Sequence, residues 1–264
     1  MESTDDRGEA MNPLQRVLIE KAGREYGFEN VLVGDVDNVA LGSARHTVRV
    51  SVRLAGDGFQ LWLPEGLLAS ELGRDYAATA SGGVAFAATN IEQLSAVLLR
   101  TAALAQSLPN QAAHDYEAEV QAILINLPKN GTEIECMVRQ RVGQDTFRSA
   151  MLDYWGSACA VTGINVPQVL RASHAKPWAE CTNDAERLDV FNGFLLSANL
   201  DALFDKFLIS FDSVGGILIS SLLCHSQIEP LSLAYDLRLR WMAKQHGPYL
   251  QYHRDCFYRN QPRL

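Results

Sequence analysis

The chain has 264 residues, 47% hydrophobic and 20% charged, enough for one large or two small folded domains. It contains no long apolar run, and its N-terminus, "MESTDDRGEA", has no basic stretch leading into an apolar one, so neither a membrane span nor a signal peptide is expected. A net charge of −8 argues against non-specific coating of nucleic acid by the whole molecule.

In chain order, residues 1–11 read as a flexible tail. "NPLQRVLIEKAGREYG" (12–27) has apolar residues at helical spacing, with Asn12 as N-cap, Pro13 in the first turn and Gly27 at the stop. The runs "NVLVGDV", "HTVRVSVRLAG" and "GFQLWLP" predict strands, and the stretch Thr47–Arg53 alternates as a half-buried strand does. "PEGLLASELG" predicts a short helix, "GGVAFAATN" a strand, and "NIEQLSAVLLRTAALAQSLP" a long helix ending near Pro109. Residues 12–108 therefore read as a mixed α/β domain, α+β in class.

Residues 109–135 read as a helical linker, "AAHDYEAEVQAILINL", broken at "PKNGTE" by Pro128, Asn130 and Gly131. Residues 136–264 read as a second domain. Its first helix is expected over Gln144–Tyr154, with Phe147, Met151, Leu152 and Tyr154 on the apolar side. "CAVTG" predicts a strand into a turn, "QVLRASHAKPW" a strand into a loop, and "DVFNGFLLS" a turn and strand. "SANLDALFDKF" predicts a helix capped by Ser197, "LISFDSVGGILIS" a hairpin, and "GPYLQYHRDCFYRN" a last helix.

The charge is uneven. Residues 1–112 carry nine Lys and Arg against fourteen Asp and Glu, whereas residues 136–264 carry thirteen against twelve, so the second domain repels a phosphate backbone less. The five cysteines (Cys136, Cys159, Cys181, Cys224, Cys256) are odd in number and show no Cys-x-x-Cys spacing. Neither a disulfide framework nor structural zinc is expected, and reduced thiols in a cytoplasmic setting fit.

Three features carry possible chemistry. Asp201 and Asp205 are four apart on a predicted helix and share one face. Two bare carboxylates there repel by a few tenths of a kcal/mol (about 0.3) unless a cation lies between them, and oxygen donors suit a hydrated Mg²⁺. The plainer reading is an acidic first turn that complements the helix dipole. His174 can take a proton from water near neutral pH, although a lone histidine is more often simply hydrogen-bonded. Asn192 stands in an Asn-Gly pair, which by itself indicates a tight turn.

Together, "RVGQDTFRSAMLDYWGSACAVTG", "RASHAKPW", "RLDVFNGFLLSANLDALFDKFLISFD" and "YLQYHRDCFY" resemble the HNH endonuclease family, a ββα-metal fold, in its bacterial restriction- and defence-like subgroup. The resemblance spans about residues 135–260. It implies that His174 is the general base and that Asn192 pins the loop and orients it. It implies Asp201 and Asp205 as metal ligands, with Ser173 at a position where relatives often place a further ligand. Asp201 stands where the family usually has histidine, which shifts the expected ion toward Mg²⁺ or Mn²⁺, with Ni²⁺ less favoured. Cys159 has Thr162 where a zinc knuckle would need a second cysteine. Arg171 and Lys176, flanking the base, and Arg141 and Arg148 are candidate DNA phosphate contacts, with surface charge or internal ion pairs as the alternative.

The expected function is metal-dependent hydrolysis of DNA phosphodiester bonds, with 5′-phosphate and 3′-hydroxyl products, in restriction or phage defence. Two alternatives stay open: an effector silent until a ligand or protein regulator engages residues 12–108, and a non-catalytic DNA-binding module with a degenerate metal site. One motif per chain suggests a homodimer for cutting both strands.

Overall fold

The computed structural model describes residues 11–80, 84–108, 111–125 and 132–262. It divides into two compact units, residues 1–106 and 107–264. Helices and antiparallel sheets are both present, so the class is α+β.

The first unit opens with α1 (Pro13–Glu25), where Asn12 and Gln15 cap each other's backbone N–H groups, as the Asn-Pro start predicts. Gly27 turns the chain at φ +93°, and the Cβ it lacks would lie 2.6 Å from Cβ of Ala102. Six strands follow: β1 (Asn30–Val31), β2 (Asn38–Gly42), β3 (Val50–Ala55), β4 (Gly58–Leu63), then, after α2 (Leu67–Leu72), β5 (Ala78–Ala80) and β6 (Val84–Ala88). They form one antiparallel sheet in the order β1-β2-β3-β4-β6-β5. The last helix is α3 (Ile91–Ser107). Val39, Leu41, Val52 and Leu61 from the sheet and Leu94 and Leu98 from α3 are fully buried. Each such side chain contributes about 2 kcal/mol of apolar burial.

Two expectations here need correction. The strand expected over 30–36 is realised only at Asn30–Val31; the Leu32 N–H still meets the Ala40 carbonyl, and the chain then turns at residues 36–37 into β2. β2 and β5 were not foreseen: both are short, and neither shows a clear alternation.

The second unit begins with α4 (Gln111–Ile125), which packs along α5 (Thr132–Tyr154). The stretch read as a linker is therefore part of this unit: Tyr116 and Val120 of α4 are buried, and the Tyr116 hydroxyl donates to the Arg139 carbonyl of α5. The break expected at Pro128, Asn130 and Gly131 lies outside the described residues. α5 starts twelve residues before the expected Gln144. Phe147, Met151 and Tyr154 do form its buried side, at i, i+4 and i+7.

The core of this unit is a strand pair and a helix. β7 (Leu170–His174) pairs antiparallel with β8 (Gly193–Ser197), and α7 (Ala198–Asp205) follows directly. The short α6 (Asp184–Arg187) lies in the loop between the strands. Every residue of β8 is buried, which explains its unbroken apolar run. A hairpin, β9 (Ile209–Phe211) with β10 (Ile217–Ile219), comes next, then α8 (His225–Ile228) and α9 (His246–Arg259). The expected strand at Cys159–Gly163 is a turn instead, closed by the Gly163 N–H on the Cys159 carbonyl and by the Thr162 N–H on Cys159 Sγ. Among the described residues no helix is long and apolar enough to cross a membrane.

Candidate active site

His174 is the last residue of β7 and pairs with Gly193 at the start of β8. A Cβ on Gly193 would lie 2.0 Å from the Ser173 carbonyl oxygen, so only glycine allows the strands to approach this closely at the histidine. The imidazole stacks on Phe147 of α5 at 3.8 Å and 17°, and meets the Trp178 ring edge-on at 5.8 Å. Trp178 in turn fills the space left by Gly143, where a Cβ would come within 2.2 Å of the indole. Trp178 is thus a packing wedge behind the histidine.

The Nε2 atom of His174 is 2.8 Å from the Arg187 carbonyl oxygen. A carbonyl only accepts, so Nε2 carries the proton and Nδ1 carries the lone pair. No hydrogen-bond partner for Nδ1 occurs among the described residues. Burial pushes the imidazole below the usual histidine range, against an opposite and smaller pull from the Arg187 carbonyl. The ring is therefore neutral at pH 7.

Asn192 is fully buried. Its Oδ1 accepts from the Lys176 N–H at 2.8 Å, and its Nδ2 donates to the Glu186 carbonyl at 3.0 Å and approaches the Lys176 carbonyl and Cys181 Sγ at 3.3 Å. Its amide therefore clamps the two ends of the loop over 176–186 together. It does not bond His174; it acts on the backbone next to Arg187.

Ser173 is buried, and its hydroxyl donates to the Asp201 carboxylate in the first turn of α7. The hydroxyl proton of Ser173 is thus committed to Asp201, while its oxygen keeps lone pairs toward the same side. Asp205 is exposed at the end of α7 and pairs with Lys206 at 3.0 Å. Such an exposed pair contributes little and leaves the carboxylate available.

The donors Asp201 and Asp205 are all oxygen and share one helix face. No cluster of three His, Cys, Asp or Glu side chains suited to a metal occurs among the described residues. Two carboxylates leave most of a coordination shell to water, which suits a hard, hydrated cation and does not suit zinc. His253, on α9, is no candidate ligand. It is buried, its Nε2–H donates to the Phe204 carbonyl at 3.0 Å, its Nδ1 lies 2.9 Å from Ser210 Oγ, and it stacks on Phe204 at 3.7 Å. It braces α7 from behind.

The basic residues divide sharply. Arg148 donates to the Leu170 and Pro167 carbonyls at 2.7 and 2.8 Å, so it holds the start of β7 rather than a phosphate. Lys176 is tied to Glu186 at 2.7 Å, with both side chains mostly covered. Each partner holds the other in its charged form: Glu186 raises the lysine and Lys176 lowers the carboxyl. Arg171 is exposed but folds back on the Leu170 and Gln168 carbonyls. Arg141 is exposed on α5 with no hydrogen bond or ion pair among the described residues, and of the four it is the freest to meet an anion.

Sequence reasoning missed Glu186 and Arg187. Glu186 joins the loop through both its side chain and its carbonyl, and Arg187 contributes a backbone oxygen, which no residue type announces. No curated protein matches the chain. Residues 159–212 match the family described as HNH endonuclease, which takes in β7, β8 and α7 and leaves α5 and α9 outside. The segment that carries His174, Asn192 and Asp201 is thus similar to the HNH endonuclease family, and this likeness points to a nuclease acting on nucleic acid.

Proposed function

We propose that this chain is a metal-dependent endonuclease that hydrolyses DNA phosphodiester bonds, with His174 as general base. The observation that supports it most is the state of His174: neutral through burial, with its proton fixed on Nε2 by the Arg187 carbonyl and Nδ1 without a partner. A base of this kind is ready to accept a proton.

In the proposed reaction a water oxygen attacks phosphorus as Nδ1 of His174 takes the water's proton. The bond from phosphorus to the 3′ oxygen breaks, and that oxygen leaves with a proton from solvent, giving 5′-phosphate and 3′-hydroxyl ends. Phe147 and the Arg187 carbonyl keep the imidazole from turning, so no reorientation accompanies proton transfer. Asp201, held by Ser173, and Asp205 would hold a divalent ion, with Mg²⁺ favoured by the oxygen donors. When bound, such an ion supplies positive charge against the negative charge that builds on phosphate oxygens in the transition state. The resemblance of the quoted stretches to restriction-like nucleases favours DNA as substrate and a role in restriction or defence.

Plasmid cleavage with Mg²⁺, Mn²⁺ or EDTA tests this reading, using wild type, His174→Ala and Asp201→Ala. Metal-dependent cutting lost in both variants is the expected result. Cutting that survives His174→Ala would remove the assigned base. Binding of DNA and Mg²⁺ without any cutting by wild type would turn the reading toward a gated effector.

A further inference from the structure

Glu186 lies on α6, in the loop between the two strands. One carboxylate oxygen is 2.7 Å from Lys176 Nζ. The other accepts from the Thr182 N–H at 2.7 Å and from the Thr182 hydroxyl at 3.1 Å. Its backbone carbonyl accepts from Asn192 Nδ2 at 3.0 Å, and its N–H is capped by the Asn183 side chain at 2.9 Å. This one residue is therefore fixed at its side chain, its N–H and its carbonyl. The next carbonyl along the chain, that of Arg187, holds His174. Lys176, at the other end of the ion pair, is only two residues beyond His174, so the pair closes a ring of chain around the imidazole.

We propose that Glu186 is a positioning residue for the base: its clasp on Lys176 and Thr182 presents the Arg187 carbonyl to His174 Nε2 and so fixes the tautomer that leaves the Nδ1 lone pair free. The inference rests on the reading of His174 as the base. The clasp itself is a separate physical statement, because it concerns where a proton sits in the resting protein.

A neutral imidazole without a fixed partner exchanges its proton between the two nitrogens. A carbonyl set at hydrogen-bond distance from Nε2 removes that choice. If the Arg187 carbonyl drifts by an ångström, the preference weakens, and part of the population presents a proton to the water in place of a lone pair. Misplacement on that scale costs about 10²-fold in rate. Lys176, which the sequence offered as a phosphate contact, takes a different role here, with its ammonium directed to Glu186.

The test compares wild type with Glu186→Ala, Glu186→Gln and Lys176→Met. The tautomer is read from two-bond ¹H–¹⁵N NMR correlations of the His174 ring, with His174→Gln used for assignment. Wild type is expected to show one Nε2–H tautomer. Glu186→Ala and Lys176→Met are expected to show averaged ring nitrogens, with kcat for a DNA duplex reduced about 10²-fold and KM little changed. Glu186→Gln, which keeps the reach to Thr182, is expected to recover part of both. If Glu186→Ala does not fold, the Gln and Met variants decide through the same spectra. An unchanged tautomer in folded variants overturns the proposal. If cutting survives His174→Ala, the base assignment falls, while the ring spectra still decide whether the clasp sets the proton.

Discussion

The Ser173 hydroxyl donates its hydrogen bond to the Asp201 carboxylate, joining the strand that ends in His174 to the first turn of α7. The Asp201 carboxylate and the His174 imidazole, the proposed ligand and base, are thereby mounted on adjoining elements, and the carboxylate is oriented by the hydroxyl. Asp201→Asn is expected to abolish measurable Mg²⁺ or Mn²⁺ binding by calorimetry and to lower cleavage at least about 10²-fold. Ser173→Ala keeps the carboxylate and is expected to weaken metal binding by about tenfold. Asp205→Asn, at an exposed and already paired position, is expected to cost less than Asp201→Asn. The reverse ranking would move the metal site away from Asp201.

The approach of the two strands makes a prediction about stability. Gly193→Ala places a methyl group 2.0 Å from the Ser173 carbonyl oxygen, and the obstacle is backbone rather than a flexible side chain. The pair must separate at the residue opposite His174, at a cost of about 3 kcal/mol. Urea denaturation at pH 7 reads this as a lowered midpoint at unchanged slope. Retention of wild-type stability would mean that the strands do not lie this close.

Asn192→Ala removes the acceptor of the Lys176 N–H and the donor to the Glu186 carbonyl in a fully buried place. Leaving these groups without partners is expected to cost about 3 kcal/mol. Cleavage should fall more than stability alone explains, because the neighbouring Arg187 carbonyl holds the base. Activity assayed at a temperature where the variant is fully folded by circular dichroism separates the two effects.

Two histidines give pH dependences with a defined sign. Burial lowers the folded pKa of His174, so the neutral base persists below the ordinary histidine value near 6.5, and the acidic limb of kcat/KM is expected below that pH. A limb above pH 7 would contradict the assignment. His253 is held at about 4 by burial, against 6.5 for an unburied histidine. Between those values the unfolded chain binds a proton that the folded chain refuses, so stability falls as pH drops from 6.5 to 4, by about 3 kcal/mol in all. Below pH 4 both states are protonated and this contribution is gone. Unfolding midpoints at pH 7, 5 and 4 test it, with His253→Gln expected to flatten the dependence.

The basic residues separate DNA contact from scaffold. Arg141→Ala is expected to weaken DNA binding and to lower the slope of log affinity against log salt by about one. Lys176→Met is expected to leave that slope unchanged, because the ammonium is already matched by Glu186. Arg148→Ala should lower stability through the Leu170 and Pro167 carbonyls it releases, with little effect on the slope.

Much of the fold was legible because local chemistry and tertiary structure agree. Asn12 and Pro13 begin α1 as their capping chemistry predicts, and Phe147, Met151 and Tyr154 mark the buried side of α5. The strand–loop–strand–helix frame around His174, Asn192 and Asp201 was legible through the resemblance as well as through the apolar run of β8. What stayed hidden was pairing. Lys176 and Arg148 look alike in sequence to any surface cation, and only distance shows that one meets a carboxylate and the other two carbonyls. The Arg187 contribution is a main-chain oxygen and has no signature at all. The Cys159 turn failed as a strand because Thr162 closes it locally, an outcome that an apolar run cannot reveal.

The bracing of α7 by His253 also sets an order in time. The two partners, Phe204 and His253, lie 49 residues apart, with the acid-bearing helix first and its support last. A ribosome makes the chain in that order, so the strand pair and α7 emerge before the residue that supports them. During synthesis Asp201 and Asp205 therefore sit on an unbraced helix, and the site takes its final shape only once α9 has cleared the exit tunnel. The proposed site is therefore completed late, by a helix made after all of the site's own residues.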